Sequence, residues 1–337
     1  MLKVAILEAS HWHVPLYLSA LHADGIDVVA VSDADGHRGS EVASQFSAPL
    51  YSDYIDLLDR EKVDFAFVFG RHCNMARMGL DLVSRGIAFS IEKPGGVNAA
   101  EVSAMKHAAL ARNLFVSVPF IFRVSELMHN LKPLGGPGLA NWHHMSFRFI
   151  GGPIERYLQM GCDWMLQQNQ SGGGCTINLG VHFIDLMHVL LGEDVRAVSA
   201  KMMKVTGPSD VEVFSSMMLQ TTGGRICNLE SGYTYPGGTK EQREISFTLA
   251  SETHYARSCE GGFELTRRDG PKQQNIAIAM ETDDYYAVYV RDVLERFQKG
   301  QNPSVGLNDL ERVMRVIDCA YTSDRQGGKL IDCPIPA

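Results

Sequence analysis

KVAILEASHWHVP, residues Lys3–Pro15, has the outline of a nucleotide-binding turn from which the glycines have been removed. The apolar run Val4–Leu7 suits a buried strand, and Leu16, Leu18 and Leu21 after Pro15 suit a helix docked behind it. A dinucleotide-binding fold places G-x-G-x-x-G between such a strand and helix, where bare backbone approaches a pyrophosphate at the helix start. Here Glu8, Ser10 and His13 hold the glycine positions, so Ser10, His11, Trp12 and His13 are the loop residues that would face a cofactor. A helix N-terminus still offers N–H groups to phosphate. Cβ atoms at positions 8 and 10 push the backbone away, however, and a Glu8 carboxylate would repel a phosphate by roughly 1 kcal/mol or more. Binding is expected to be weakened or re-posed, with the Ser10 hydroxyl, Arg38 or Arg71 as compensation.

Outward from this stretch, short apolar runs alternate with helical spacing as far as Phe120. Strands are expected at Lys3–Leu7, Val28–Ser32, Asp64–Phe69, Ala88–Ile91 and Phe115–Val118, with helical segments at Ile55–Leu58, Met75–Val83 and Ala99–Ala111. Such alternation predicts βαβ units and a parallel sheet. From Asn141 the texture changes to longer alternating runs, among them NWHHMSFRFI, VEVFSSMMLQ and REISFTLAS, split by Gly, Asp and Pro turns. These predict an open antiparallel sheet packed on helices, two of them near the C-terminus, where Leu310, Val313, Met314 and Ile317 recur at helical spacing. The expected organisation is a domain over residues 1–120 and a second over 121–337, as suits a chain of 337 residues.

A composition of 45% hydrophobic and 21% charged residues is that of a globular protein, and a net charge of −8 argues against a nucleic-acid surface. The first strand begins at once, which leaves no room for a leader, and no uncharged apolar stretch approaches a membrane span. A cytoplasmic protein is therefore expected. Seven cysteines without a C-x-x-C pair fit reduced thiols. His11 with His13, and His143 with His144, lack the companion ligands of a metal site, so no metal is expected.

Three features carry chemistry. Asp33 ends the second strand, 25 residues after Glu8, where a carboxylate grips an adenosine ribose; the other reading is that it caps the next helix, and Arg38 is placed to meet a ribose phosphate. In FSIEKPGG, Pro94 stiffens Lys93 at the carboxyl end of a parallel strand, the edge where such sheets bind ligands; the plainer reading is a surface turn. In SGGGCTINLGVHFIDLMHVLLG, Asn178, His182 and Asp185 share one helix face, and an imidazole is the usual group for removing a hydroxyl proton, although a structural histidine has the same appearance.

Taken in order, VAVSDAD, Glu92–Pro94, Arg123, the GGGCTINLGVHFIDLMHVLLG segment and AYTSDRQGGKL resemble the Gfo/Idh/MocA oxidoreductases over nearly the whole chain. The resemblance implies a Rossmann domain followed by an α+β domain whose large open sheet mediates homodimers or homotetramers. It implies NAD or NADP as cofactor, bound with help from Gly70, Arg71, Glu92 and Lys93, and a sugar, polyol or sugar acid as substrate. Lys93 matches the lysine that positions the reacting hydroxyl, and His182 the histidine that exchanges its proton. Asn178 stands where the family usually has aspartate, and Arg123 and Trp164 are expected at the substrate. GRHCNM at Gly70–Met75 replaces the usual Thr-Pro-Asn-x-x-His. These departures leave two other expectations beside the dehydrogenase: a silent relative that senses a sugar or nucleotide, and a redox-neutral lyase or isomerase that retains its nicotinamide.

Overall fold

Val4–Leu7 does enter a buried strand. The structure, a computed structural model, describes residues 1–134, 141–207, 209–238, 242–270 and 273–335. It divides into two units, the first made of Met1–Pro119, Tyr157–Gly172 and Asp283–Glu311. Six parallel strands form its sheet: β1 (Leu2–Leu7), β2 (Ile26–Ser32), β3 (Leu50–Tyr51), β4 (Phe65–Val68), β5 (Ala88–Ile91) and β6 (Val116–Ser117). Their spatial order is β3-β2-β1-β4-β5-β6, so the winding reverses between β1 and β4. That reversal opens a crevice at the carboxyl ends of the strands, where such sheets take their ligands.

Helices α1 (Val14–Leu21), α2 (Gly39–Phe46), α3 (Tyr54–Arg60), α4 (His72–Arg85) and α5 (Ala99–Ala111) make the crossovers. The side chain of Asp53 accepts from the N–H of Ile55 to start α3, and that of Asn98 accepts from Glu101 N to start α5. The helix Asp284–Gln298 also belongs to this unit, and its Tyr289 hydroxyl bonds Ser90 and Ser117 on β5 and β6. β3 and α2 were not expected from sequence. A two-residue strand shows no alternation, and α2 has a distant cap, described below.

The second unit holds Phe120–Arg156, Gly173–Thr282 and Arg312–Ala337. Its sheet has nine strands: β7 (His144–Gly151), β8 (Val195–Met203), β9 (Phe214–Thr221), β10 (Ile226–Gly232), β11 (Arg243–Ala250), β12 (His254–Cys259), β13 (Gly262–Arg267), β14 (Gln273–Ala277) and β15 (Ile331–Asp332). All pairs are antiparallel except β7 with β10, which the long connection between them permits. The helix Val181–Leu191 lies on one face, with Phe183 stacked on Phe147 at 4.8 Å between ring centres. The segment Gln168–Leu191, a short helix, a glycine bend, a π-helical turn and the helix Val181–Leu191, is long and apolar enough to cross a membrane, which the sequence reading had not expected, but 89% of its apolar window is buried in the protein. It is a core segment.

Candidate functional site

Glu8, at the end of β1, has φ +66°, the left-handed region that a glycine enters freely and other residues enter at a cost of roughly 1–2 kcal/mol. This twist carries its carboxylate sideways to the end of β2. There Oε1 accepts from the Ser32 hydroxyl at 3.1 Å and Oε2 from the N–H of Ala34 at 3.1 Å. Burial pushes the Glu8 carboxyl up from its ordinary range, against the pull of these donors.

Asp33, the other candidate at this edge, is already engaged. Its Oδ1 accepts from Ser10 N at 3.1 Å, and its Oδ2 from the Ser10 hydroxyl at 2.8 Å, Gly39 N at 2.7 Å and Arg38 N at 3.3 Å. Asp33 therefore caps α2 from outside the usual position, as one of the two readings of its role expected, and it also lines the cavity described next. Gly39 is what permits the close approach, since a Cβ there would lie 2.5 Å from that of Asp33. Arg38 supplies its backbone to this cap.

Glu8, Ser10, His11, Asp33, Asp35, Gly70, Arg71, Trp164 and Gln170 are among the residues lining one cavity of about 410 Å³ in this unit. The structure thus brings together six residues expected at the cofactor or substrate, whereas Arg38 is not among those lining it. Arg71 pairs with Asp35 and donates to Gln170 Oε1 at 2.5 Å. Trp164 is 2% exposed and packs on His11 and, edge to face, on His72.

His11 and His72 are both buried and uncharged. Burial, then the neighbouring His13, holds the His11 imidazole well below its usual range, and burial takes His72 down to about 4 although its Nδ1 meets the Ser171 carbonyl at 2.7 Å. Because the folded pKa lies below the unfolded one, the unfolded chain takes up protons first on acidification. Stability contributed by the neutral ring is thus lost as pH falls from 6.5 toward about 4, by about 1.4 kcal/mol per pH unit for each such histidine. Urea unfolding across this range should show His72→Gln losing stability less steeply than wild type by about that slope; parallel slopes would contradict a buried neutral His72.

Deeper in the same unit stands a second cluster. Glu92, at the end of β5, accepts the Tyr17 hydroxyl at 2.8 Å on the oxygen that lies 3.0 Å from His13 Nδ1. His13 Nε2 meets the Tyr286 hydroxyl at 3.2 Å, and the Trp12 ring lies close against the His13 ring. Lys93 is 2% exposed and places Nζ 5.8 Å from the centre of the Trp12 ring, a cation–π contact. Burial raises the Glu92 carboxyl, and the Lys93 charge opposes this. Imidazole and indole thus occupy what a glycine loop would leave open.

In the second unit, Thr176–Gly180 is a π-helical turn that runs into the helix Val181–Leu191. Such wide turns recur at functional sites. Asn178, inside it, donates from Nδ2 to the Tyr233 hydroxyl at 2.9 Å. His182 is buried, edge-on to Phe120 and Phe122. Asp185 holds Arg123 by both oxygens, at 2.8 Å to Nε and 2.5 Å to Nη2. Sequence reading missed the residue that anchors this segment. Buried Glu212 accepts from Gly174 N at 2.9 Å, Thr176 N at 3.0 Å and the Tyr321 hydroxyl at 2.8 Å. The glycine run serves the same contact, since a Cβ at Gly174 would lie 1.9 Å from the Glu212 carbonyl oxygen and one at Gly173 1.8 Å from the Tyr321 hydroxyl.

Residues 10–120 match the oxidoreductase family with an NAD-binding Rossmann fold, and residues 141–251 match the GFO/IDH/MocA C-terminal domain. The two matches follow one another along the chain, with residues 121–140 between them, and together take in about two thirds of it. The chain belongs to the Gfo/Idh/MocA oxidoreductases. It is 28% identical over 240 residues to trans-1,2-dihydrobenzene-1,2-diol dehydrogenase of Mus musculus, covering 68% of this chain and 69% of that one. With D-xylose 1-dehydrogenase (NADP(+)) 2 of Haloferax volcanii it shares 23% identity over 92% of this chain and 93% of the other. Levoglucosan dehydrogenase, solved with NADH and levoglucosan, has the same fold, with a TM-score of 0.86 at 15% identity over 99% of this chain and all of the other.

A Gfo/Idh/MocA protein is expected to hold a nicotinamide dinucleotide, and the crevice fits one with altered contacts. The cavity lies at the carboxyl ends of β1, β2, β3 and β4, with the size and polar lining that the adenosine half of a dinucleotide requires. The loop's N–H groups are turned inward: His11 N to the Glu8 carbonyl, His13 N to His11 Nδ1 and Val14 N to the His11 carbonyl. With its Nδ1 accepting, neutral His11 carries its proton on Nε2, a buried atom without a partner among the described residues. In this Gfo/Idh/MocA chain, side-chain donors thus stand where glycine backbone usually serves.

Proposed function

We propose that this protein is an NAD(P)-dependent dehydrogenase of a polyhydroxylated small molecule, acting on a CH–OH group next to a second oxygenated carbon. The observation that carries this reading is the buried Glu92–Lys93 pair at the tip of β5, in the unit that also holds the nucleotide cavity. The relatives support the substrate class: a cyclic vicinal diol for the Mus musculus enzyme and an aldose for the Haloferax volcanii enzyme.

Each residue then has a role. Lys93 keeps a charged amine in a desolvated place, where it steadies the developing oxyanion of the reacting hydroxyl. His182 takes the hydroxyl proton, since removing hydride without it would leave a costly positive charge on carbon. Asn178 orients the segment that bears His182 through Tyr233. Arg123, its Nε and Nη2 held by Asp185, brings the positive charge of its guanidinium to substrate oxygens, and Trp164 closes the wall beside His11. Ser10, His11, Gly70 and Arg71 border the nucleotide, and Trp12, His13 and Glu92 brace the lysine. When bound, the nicotinamide accepts or returns the hydride.

Incubation with NAD+ or NADP+ and a panel of cyclic diols, aldoses and polyols should build up the absorbance of reduced nicotinamide. If neither cofactor binds and no substrate is oxidised, the dehydrogenase reading fails. The reading includes a cytoplasmic enzyme that self-associates through the open face of the second sheet, where Met203, Met218, Ile226 and Tyr255 are exposed; light scattering on the same sample should give a dimer or tetramer mass rather than a monomer.

A further inference from the structure

The carboxylates at the end of β2 differ in how much accepting capacity they have left. An ionised carboxylate has about four acceptor positions. Asp33 receives four donors, Ser10 N, Ser10 Oγ, Arg38 N and Gly39 N, and is 5% exposed. Glu8 receives two, Ser32 Oγ and Ala34 N, is half-buried, and lines the same cavity as Ala34 and Asp35. Two positions on Glu8, one on each oxygen, therefore remain for hydroxyl groups, against a single one on Oδ1 of the more deeply buried Asp33, whose Oδ2 takes three of its four donors.

The backbone points the same way. A glutamate held at φ +66° is strained where glycine would not be, and such strain persists where a function needs the side chain. The twist is what brings a β1 residue to the tip of β2. Of the nearby cations, the Arg71 fork is taken by Asp35 and Gln170, and Arg77, which lines the same cavity, lies by Tyr54.

We propose that Glu8, reaching across from the first glycine position, is the carboxylate that accepts the vicinal hydroxyls of the adenosine ribose, and that it makes this protein select NAD over NADP. The proposal rests on the nicotinamide-dependent reading above. A 2′-phosphate at this place would remove one of the two hydroxyl donors and set its charge against Glu8, Asp33 and Asp35. Asp33 acts as a positioning residue: by tying the Ser10 backbone to the start of α2, it holds the loop in which Glu8 turns.

Titration calorimetry of NAD+ and NADP+ against the wild type, Glu8→Gln and Glu8→Gly tests this, with thermal melts alongside. The wild type should bind NAD+ at least tenfold tighter than NADP+. Both variants should lose roughly ten- to hundredfold in NAD+ affinity with little change for NADP+. Glu8→Gly should do so while melting at the same or higher temperature, since it relieves the left-handed strain. Binding of NAD+ by both variants as tightly as by the wild type, or more tightly, would show that Glu8 is an obstacle and overturn its assignment while leaving the oxidoreductase reading in place. A wild type that prefers NADP+ would do the same. A folded wild type that binds neither nucleotide would overturn both.

Discussion

Lys93→Ala is expected to lower kcat by about 10²–10⁴-fold, the usual range for a positioned group that handles charge or a proton in the transition state. Lys93 is almost fully buried, and its amine is held over the Trp12 ring. Its neighbour Glu92 is anchored by the Tyr17 hydroxyl and lies beside His13, so the lysine stands on a braced element rather than a loose turn. A charge kept in so dry a place acts on a nascent oxyanion far more strongly than one in water. The adenosine half of the cofactor meets other residues, so dissociation constants for nucleotide should move little. A solely structural role, as counter-charge to Glu92, predicts the reverse: a lower melting temperature with kcat preserved, and full rescue by Lys93→Arg. Steady-state kinetics and thermal melts on both variants distinguish these outcomes, and a wild-type kcat for Lys93→Ala would remove the residue from the reaction.

Glu212→Ala should cost about 3–6 kcal/mol of stability, because it strips partners from three buried donors, each worth roughly 1–3 kcal/mol when left unsatisfied. Those donors are Gly174 N, Thr176 N and the Tyr321 hydroxyl. Two of them open the π-helical turn that leads to His182, so kcat should fall with stability even though Glu212 touches no proposed substrate atom. Glu212→Gln keeps one acceptor and should fall between alanine and wild type. Urea unfolding measures the effect; a loss below about 1 kcal/mol would mean that water or the backbone replaces the carboxylate.

The placement of Lys93 at the tip of β5 was legible because the signals for the strand and its end are local, an apolar strand, a glutamate, a lysine and a proline in succession, whereas its braces from Trp12, His13 and Tyr17 were not. β1, β5 and α5 were legible for the same reason, and Asn98 marks the start of α5 only three residues from the N–H it caps. The departure at positions 8, 10 and 13 was also visible, as the absence of glycine. What that absence means was not. The expectation that Glu8 would repel a phosphate took its carboxylate to face the pyrophosphate, and the structure turns that carboxylate to Ser32 and Ala34 through a left-handed backbone.

By itself, then, the sequence determined the alternation of strands and helices, the change of texture after Phe120, the family and the segments that bear Lys93 and His182. Those signals are periodicities and caps, which act over a few residues. Only the tertiary structure decided that Asp33 is engaged by Ser10, Arg38 and Gly39, that Glu8 keeps more of its accepting capacity, that Arg123 is gripped by Asp185 and that Glu212 and Tyr321 fasten the glycine run. Accepting capacity and burial depend on atoms brought together from distant parts of the chain, and no local pattern records how many donors a carboxylate will meet.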